Sequence, residues 1–337
     1  VMLVDCAGAR IGGAKRLLNE FDLYVRNQDA TGVHVVGRDR SLTAPWLARR
    51  ECQRRRFGCA VALNNVSFTV TGHERRVLLH GAQHFLWPEE TRALGPRISR
   101  AVHLQARVVR TAALRSHCVI VPSTSMAERV ASALPAVTDR LVVAFNPVTL
   151  PSADTLSTGD EETPPDPGRW PTKILCPIII TPRKKMTGRL RAALTALDIL
   201  AAPPERIDAT LLVTTRADCL EDPSLAAHPR LALIGEHPAA AVTSLMTRCG
   251  AIFFPTELES FGYPLAEGRL LGVPVIARNT AHNREIAGSA LIGYNQEKPE
   301  EIAAALCAAL TTTTHPDHTK MFARDPYFNL LLATPKS

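Results

Sequence analysis

Aromatic residues are scarce in this 337-residue chain, at 5%. That scarcity removes the stacking platforms on which single-stranded nucleic acid is held. No motif for reading a duplex is visible either, so nucleic acid is not an expected partner. No run of 18 or more uncharged apolar residues occurs, which excludes a hydrophobic membrane-spanning helix from the sequence. The opening Val1-Met2-Leu3-Val4-Asp5-Cys6 has neither the basic flank nor the long apolar run of a signal peptide, and reads as a buried strand. The cysteines (Cys6, Cys52, Cys59, Cys118, Cys176, Cys219, Cys249 and Cys307) are dispersed, with no C-x-x-C pair. Such spacing argues against a zinc cluster and fits reduced, mostly buried thiols in a cytosolic protein. A D-x-D pair that could hold a divalent metal is also missing; no metal site is expected.

Hydrophobic residues make up 46% and charged residues 21%, enough for one large or two ordinary globular domains and too apolar for wholesale disorder. The net charge is +7, unevenly spread. Residues 1–150 hold 21 Lys and Arg against 11 Asp and Glu, while residues 151–337 hold 18 against 21. A basic first half points to an anionic partner. Arg outnumbers Lys 32 to 7, a bias that suits a GC-rich bacterium and explains the choice of Arg but not the contrast between halves. Arg49-Arg50, Arg54-Arg55-Arg56, Arg97, Arg100, Arg107 and Arg110 are the residues concerned. They could meet an anionic membrane surface or a phosphorylated acceptor, or form ordinary solvated helix faces. The expected location is cytoplasmic, with peripheral contact on the inner membrane face as a second reading.

The clearest boundary is the segment 151–173, which holds five prolines and an acidic cluster and almost no aliphatic residues. It cannot pack and reads as a linker. On both sides short apolar runs alternate with helical patterns, the signature of parallel sheets covered by helices. The first half predicts strands over 2–6, 33–36, 59–63, 77–80, 118–121 and 141–145, with helices over 13–24, within 98–114 and within 126–134. In the second half strands are expected over 174–180, 210–214, 231–234, 251–254, 273–277 and 291–294, and helices within 189–200, 239–248, 264–271 and 299–310. Two open α/β sheets place their ligand crevices at the carboxyl ends of their strands, and two such sheets facing each other would enclose a cleft.

The segment Phe253-Phe254-Pro255-Thr256-Glu257-Leu258-Glu259-Ser260-Phe261-Gly262-Tyr263-Pro264-Leu265-Ala266-Glu267 is the most informative. A strand ends near Pro255, a loop delivers Glu259 and Gly262, and Pro264 suits the first turn of a helix because it has no N–H to leave unpaired there. Glycine admits a ligand close to the backbone, and the amides of residues 262 to 265 would form a phosphate-attracting helix start. Glu267, one turn in, could accept hydrogen bonds from a ribose diol, and Glu259 could meet sugar hydroxyls.

Glu259, seven residues, then Glu267, with Phe261-Gly262-x-Pro264 between, resembles the E-x7-E motif of family 4 retaining glycosyltransferases of GT-B fold. Leu233-Ile234-Gly235, Gly272-Val273-Pro274-Val275-Ile276-Ala277 and Glu285-Ile286 extend the likeness. In the first half, Gly12-Gly13 is similar to the family's glycine-rich loop, and Ile120-Val121-Pro122-Ser123, Glu128-Arg129 and Phe145-Asn146-Pro147-Val148 resemble its last βαβ stretch before the linker.

The resemblance implies two Rossmann-like, doubly wound domains facing a central cleft. An N-terminal domain (1–150) would bind the acceptor and a C-terminal domain (174–315) the donor, with 316–337 returning to the first. It also implies that a sugar moves from a nucleotide-sugar to an acceptor hydroxyl with retained anomeric configuration and without a metal. Glu267 would hold the ribose and Glu259 the donor sugar, while Ser260, Phe261, Gly262, Tyr263, Gly12 and Gly13 would line the donor. Arg183 and Lys185, with Lys184 as the alternative, would neutralise the diphosphate; here they are adjacent, whereas the family separates its Arg and Lys. His80 would lie near the donor sugar, a place for which His84 is the weaker candidate. The nucleotide-sugar would be a co-substrate, with no further cofactor, and the acceptor a glycan, glycolipid or natural product. A catalytically inactive nucleotide-sugar-binding partner, or a sugar-nucleotide epimerase of the same fold, are the rival readings.

Overall fold

The computed structural model describes residues 1–9, 12–28, 32–53, 55–94, 99–151, 168–178 and 186–333. They form two compact α/β units. The first comprises Val1–Thr149, Leu258–Phe261 and Lys320–Ser337, and the second Leu150–Glu257 and Gly262–Thr319. No helix among the described residues is long and apolar enough to cross a membrane.

In the first unit β1 (Met2–Asp5), β2 (Val33–Val36), β3 (Cys59–Ala62), β4 (Glu74–Leu78), β5 (Cys118–Val121) and β6 (Leu141–Val143) pair in the order β2-β1-β3-β4-β5-β6, all parallel. Alternate residues on each strand serve opposite faces. Leu3, Ala60, Val77 and Val119 join one core cluster, while Val4, Val61, Leu78 and Ile120 join the other. Both faces are buried, which is why these strands read as continuous apolar runs rather than alternating ones. Helices α1 (Gly12–Asn27), α2 (Ala44–Glu51), α3 (Pro88–Leu94), α4 (Arg100–Ala113) and α5 (Thr124–Ala133) make the connections, with a short 3₁₀ turn at Ala82–His84.

The second unit repeats the plan. Strands β7 (Trp170–Cys176), β8 (Thr210–Val213), β9 (Leu231–Leu233), β10 (Cys249–Phe253), β11 (Val275–Arg278) and β12 (Leu291–Tyr294) pair in the order β12-β11-β10-β7-β8-β9, again all parallel. Helices α6 (Thr187–Ala201), α7 (Ala239–Arg248), α8 (Tyr263–Leu271), α9 (Ala281–Ala287) and α10 (Pro299–Thr311) cover them. Leu190, Leu194 and Leu197 of α6 meet Ile302 and Leu306 of α10 over Ile174, Leu211, Ala251 and Phe253 of the sheet.

A last helix, α11 (Arg324–Leu331), belongs to the first unit. Its Phe328 sits against Phe21 and Tyr24 of α1, with ring centroids 5.6 and 5.2 Å away, and the Tyr24 hydroxyl donates to Asn329 at 2.6 Å. Arg76 of β4 donates to the carbonyls of Leu330 and Leu331 at 3.2 and 2.9 Å, capping the helix end with a cation.

Two strands depart from the sequence reading by three residues or more. β4 begins at Glu74 rather than residue 77, because Glu74, Arg75 and Arg76 pair with Cys59, Ala60 and Val61, and backbone pairing does not require apolar side chains. β7 begins at Trp170, inside the segment read as linker, where Arg248 covers the indole at 3.8 Å, and its last residue is Cys176; residues 179 and 180 of the expected span lie outside the described residues.

Candidate active site

Both sheets change the direction of strand addition once, between β1 and β3 in the first unit and between β7 and β10 in the second. In open α/β sheets ligands gather beyond the carboxyl ends of strands at such a point. Of the sequence-predicted residues, Gly12 and Gly13 follow β1 and Gly262, Tyr263 and Glu267 follow β10, whereas His80 follows β4.

In the second unit β10 runs out at Phe253, and the loop that follows leads to α8. Gly262 caps that helix in the left-handed region, with φ of 81°. A Cβ there would lie 2.9 Å from Leu265 Cδ1 and 3.1 Å from Phe254 Cε1, so both backbone angle and packing require glycine. The amide of Leu265 donates to the Gly262 carbonyl at 3.0 Å, and Pro264 has none. Two of the four residues in the span the sequence suggests, Pro264 and Leu265, therefore offer no free amide at this helix mouth. Glu267 lies on α8 with 0% of its surface exposed, and its Oε1 accepts from the Thr243 hydroxyl of α7 at 3.1 Å. It faces a neighbouring helix rather than solvent. Arg183, Lys184 and Lys185 lie outside the described residues; in sequence they follow β7, the strand next to β10.

The loop Leu258–Phe261, which the sequence reading places in the second domain, groups with the first unit. Leu258 packs on that unit's core, and Phe261, 2% exposed, meets Phe322 edge-on at 5.7 Å. Ser260 anchors the loop at both ends: its hydroxyl donates to the His80 carbonyl at 2.8 Å, and its carbonyl accepts from the Ser123 hydroxyl at 2.9 Å. Ser123 is also the N-cap of α5, accepting from the Met126 amide. His80 and the Glu259-Ser260 loop are thus brought together from 180 residues apart. Glu259 is partly buried there.

His80 follows β4, and its amide donates to Asn65 Oδ1 at 2.7 Å, as does that of Gly81 at 2.9 Å. Part of the residue is exposed, but its Nδ1 is buried without a hydrogen-bond partner among the described residues. His84, 6% exposed, has both ring nitrogens buried, again without one among the described residues. Burial, and then the neighbouring His84, push His80 down to about 4. Burial, and then the charge of Arg110, do the same to His84. Both imidazoles are neutral near pH 7. They line a cavity of about 470 Å³ beyond β1, β3 and β4, together with Ala9, Asn65, Leu104 and Val108. Gly12 and Gly13 open α1, both exposed, Gly12 with φ of 58°.

The basic residues divide. Arg50 is no surface cation: 1% exposed, it pairs with fully buried Asp5 at 2.5 Å, donates to the carbonyls of Val66 and Ser67, and stacks on Phe68. Arg110 donates to the His84 carbonyl at 2.8 Å. Arg49, Arg55, Arg56, Arg100 and Arg107 are exposed; Arg54 and Arg97 lie outside the described residues. Sequence reasoning missed the buried polar network behind the cavity residues Ala7 and Asn64, where Asp5 accepts from Arg50, Trp46, Asn64 and the Ala7 amide. The adjacent Asn64-Asn65 after an apolar strand was the one local signal for it. Among the described residues no group of three or more His, Cys, Asp or Glu side chains gathers as a metal site would.

Residues 193–325 match the family model for glycosyl transferases group 1. No curated protein matches in sequence. Solved structures similar to the chain include WaaG, a glycosyltransferase involved in lipopolysaccharide biosynthesis (TM-score 0.61, 13% identity, 93% of this chain and 91% of that one). The UDP-GlcNAc 2-epimerase of Methanocaldococcus jannaschii is another (0.58, 11%, 98% and 99%). A third is S. aureus TarM solved with UDP (0.52, 13%, 75% and 48%). The two six-stranded parallel sheets with their helices are the α/β, GT-B fold. Residues 193–325 are thus similar to glycosyl transferases group 1, and the chain shares the GT-B fold of these structures.

Proposed function

We propose that the chain transfers a sugar from a nucleoside-diphosphate sugar to an acceptor hydroxyl, with retention and without a metal. The observation that carries this is the left-handed Gly262 opening α8 at the second unit's switch point, inside the family-matched segment. A helix mouth with close-approach glycine suits a diphosphate, and the basic run Arg183-Lys184-Lys185 follows the adjacent strand in sequence. Cations fixed there would stabilise the leaving diphosphate. TarM holds UDP in its solved complex, which supports a uridine donor among those to be tried. Glu259 would contact the donor sugar beside His80, Ser260 would hold their loop, and the leaving phosphate would take the acceptor proton on the same face. Glu267 is buried on Thr243, so its ribose role requires the α7–α8 seam to open on binding.

Incubation with UDP-, GDP-, ADP- and dTDP-sugars tests the reading. Slow donor hydrolysis that disappears in Glu259→Ala is expected, and Lys185→Ala should lower turnover by about 10²-fold. If Lys184→Ala gives the large loss instead, Lys184 takes that role. Nucleotide binding with no turnover toward any acceptor would point to the binding partner. An epimerase is the second reading, favoured by a structural match that covers 98% and 99% of the two chains. It would convert the donor to its epimer with no acceptor present, which proton NMR of the product distinguishes from transfer and hydrolysis.

A further inference from the structure

The backbone at residue 65 takes a turn that few side chains accept. Among the described residues three other than glycine have a positive φ: Asp39, Asn65 and Arg206. Asp39 and Arg206 are exposed, whereas Asn65, with φ of 64°, is partly buried just beyond the end of β3. Asparagine is one of the few residues that tolerate this region. Such conformations persist where their surroundings hold them, and they gather at functional sites.

What holds Asn65 is the exit of β4. Its amide donates to the Leu78 carbonyl at 3.1 Å. Its Oδ1 accepts from the amides of His80 and Gly81, at 2.7 and 2.9 Å. Both partners are N–H donors, so the side-chain oxygen must face them. The Leu79 amide still reaches β5, at the Ile120 carbonyl (2.9 Å); the next two amides turn to Asn65 instead. On the other side of the same residue, the His80 carbonyl accepts from the Ser260 hydroxyl at 2.8 Å. Side chains therefore grip both polar groups of the His80 main chain, Asn65 the N–H and Ser260 the C=O. Ser260 adjoins Glu259, and the whole relay lies within the first unit. Were only the shape of the turn needed, glycine at residue 65 would supply it at less cost. Asparagine adds the acceptor.

We infer that Asn65 is a positioning residue: its left-handed backbone and doubly accepting oxygen fix the His80–Gly81 peptide, and through Ser260 the loop that carries Glu259. The consequence for turnover rests on the transferase reading of His80 and Glu259; the fixing of His80 does not.

Asn65→Gly and Asn65→Asp separate the acceptor from the backbone. Glycine keeps the left-handed turn and removes the oxygen, while aspartate keeps an acceptor and also tolerates the turn. In the full chain carrying isotope-labelled histidine, the His80 amide is assigned by its loss in His80→Gln, and the His282 amide of the second unit is the internal reference. The His80 amide should exchange with solvent about tenfold faster in Asn65→Gly, the equivalent of one lost hydrogen bond, and near the wild-type rate in Asn65→Asp. With a nucleotide-sugar that the wild type hydrolyses, kcat should fall in Asn65→Gly by on the order of 10²-fold, the cost of a misplaced reacting group. Asn65→Asp should restore most of it, and calorimetric UDP affinity should be the same in all three proteins. Unchanged His80 exchange in Asn65→Gly, or turnover as low in Asn65→Asp as in Asn65→Gly, would overturn the inference. So would a loss of UDP affinity that matches the loss of turnover, which marks general damage. A wild type that turns over no nucleotide-sugar, while its His80 amide responds as expected, would count against the transferase and leave the positioning of His80 standing.

Discussion

Asp5 shows how much a single side chain can organise without leaving a trace in sequence. Its carboxylate collects Arg50, Trp46, Asn64 and the Ala7 amide, all within 3.2 Å, and so ties the end of β1 to α2 and to the cavity residues Ala7 and Asn64. Asp5→Ala leaves Arg50 buried and unpaired, which should cost about 3–5 kcal/mol, read as a lowered urea midpoint at unchanged m-value. The cost of Asp5→Ala should shrink in the background of Arg50→Met, where no stranded charge remains; an equal cost there would deny the pair its role. Arg50 looked like one more cation of a basic stretch because its partner lies 45 residues away. Gly262 is the opposite case, legible from the Phe-Gly-x-Pro pattern. Gly262→Ala puts an L-residue at φ of 81°, a penalty of about 1–2 kcal/mol, before the contacts with Leu265 and Phe254 are counted. It should also lower nucleotide affinity, and unchanged affinity in a folded variant would remove the helix mouth from the donor site.

At the scale of elements, legibility followed the source of stability. Strands buried on both faces announced themselves as apolar runs, and β2, β5 and β12 match the expected spans residue for residue. Helix α2, Ala-Pro-Trp-Leu-Ala-Arg-Arg-Glu, shows no apolar stripe of useful length. It stands on the Thr43 cap, on Arg50, and on Glu51, which gathers the amides of Thr69, Val70 and Thr71. Those partners are tertiary, so the periodicity had nothing to report. Helix α11 depends on three large side chains, Tyr327, Phe328 and Leu331, sunk in the first unit's core. Phe328→Ala should destabilise that unit by about 3–5 kcal/mol, seen as a fall in thermal midpoint and faster amide exchange in α1. Unprotected α1 amides already in the wild type would contradict the docking of α11.

For the molecule as a whole, the titrating groups predict that acid attacks the two units unequally. His80 and His84 are held near 4 in the folded protein against 6.5 in an unfolded chain. Burial, followed by the charge of Arg75, also lowers His117. All three belong to the first unit. Between pH 6.5 and about 4 the unfolded chain therefore binds protons that the folded unit does not. Stability rises with pH in that interval and is lost as pH falls through it. Glu51 and Glu90 add a second, lower limb. Burial raises both, but the amides of Thr71, Thr69 and Val70 outweigh it at Glu51, and Arg129 with the Trp87 amide at Glu90. Each ends below 4.5, so its contribution is present above that value and disappears beneath it. Scanning calorimetry from pH 7 to 4.5 should show the first unit's transition moving down, while the second unit's moves less. His84→Gln, which cannot take up the proton, should flatten the slope between pH 6.5 and 4.5. Glu51→Gln should leave that slope alone and lower stability at pH 7. Parallel shifts of both transitions, or an unaltered slope in His84→Gln, would mean that the imidazoles of the cavity are not buried in neutral form.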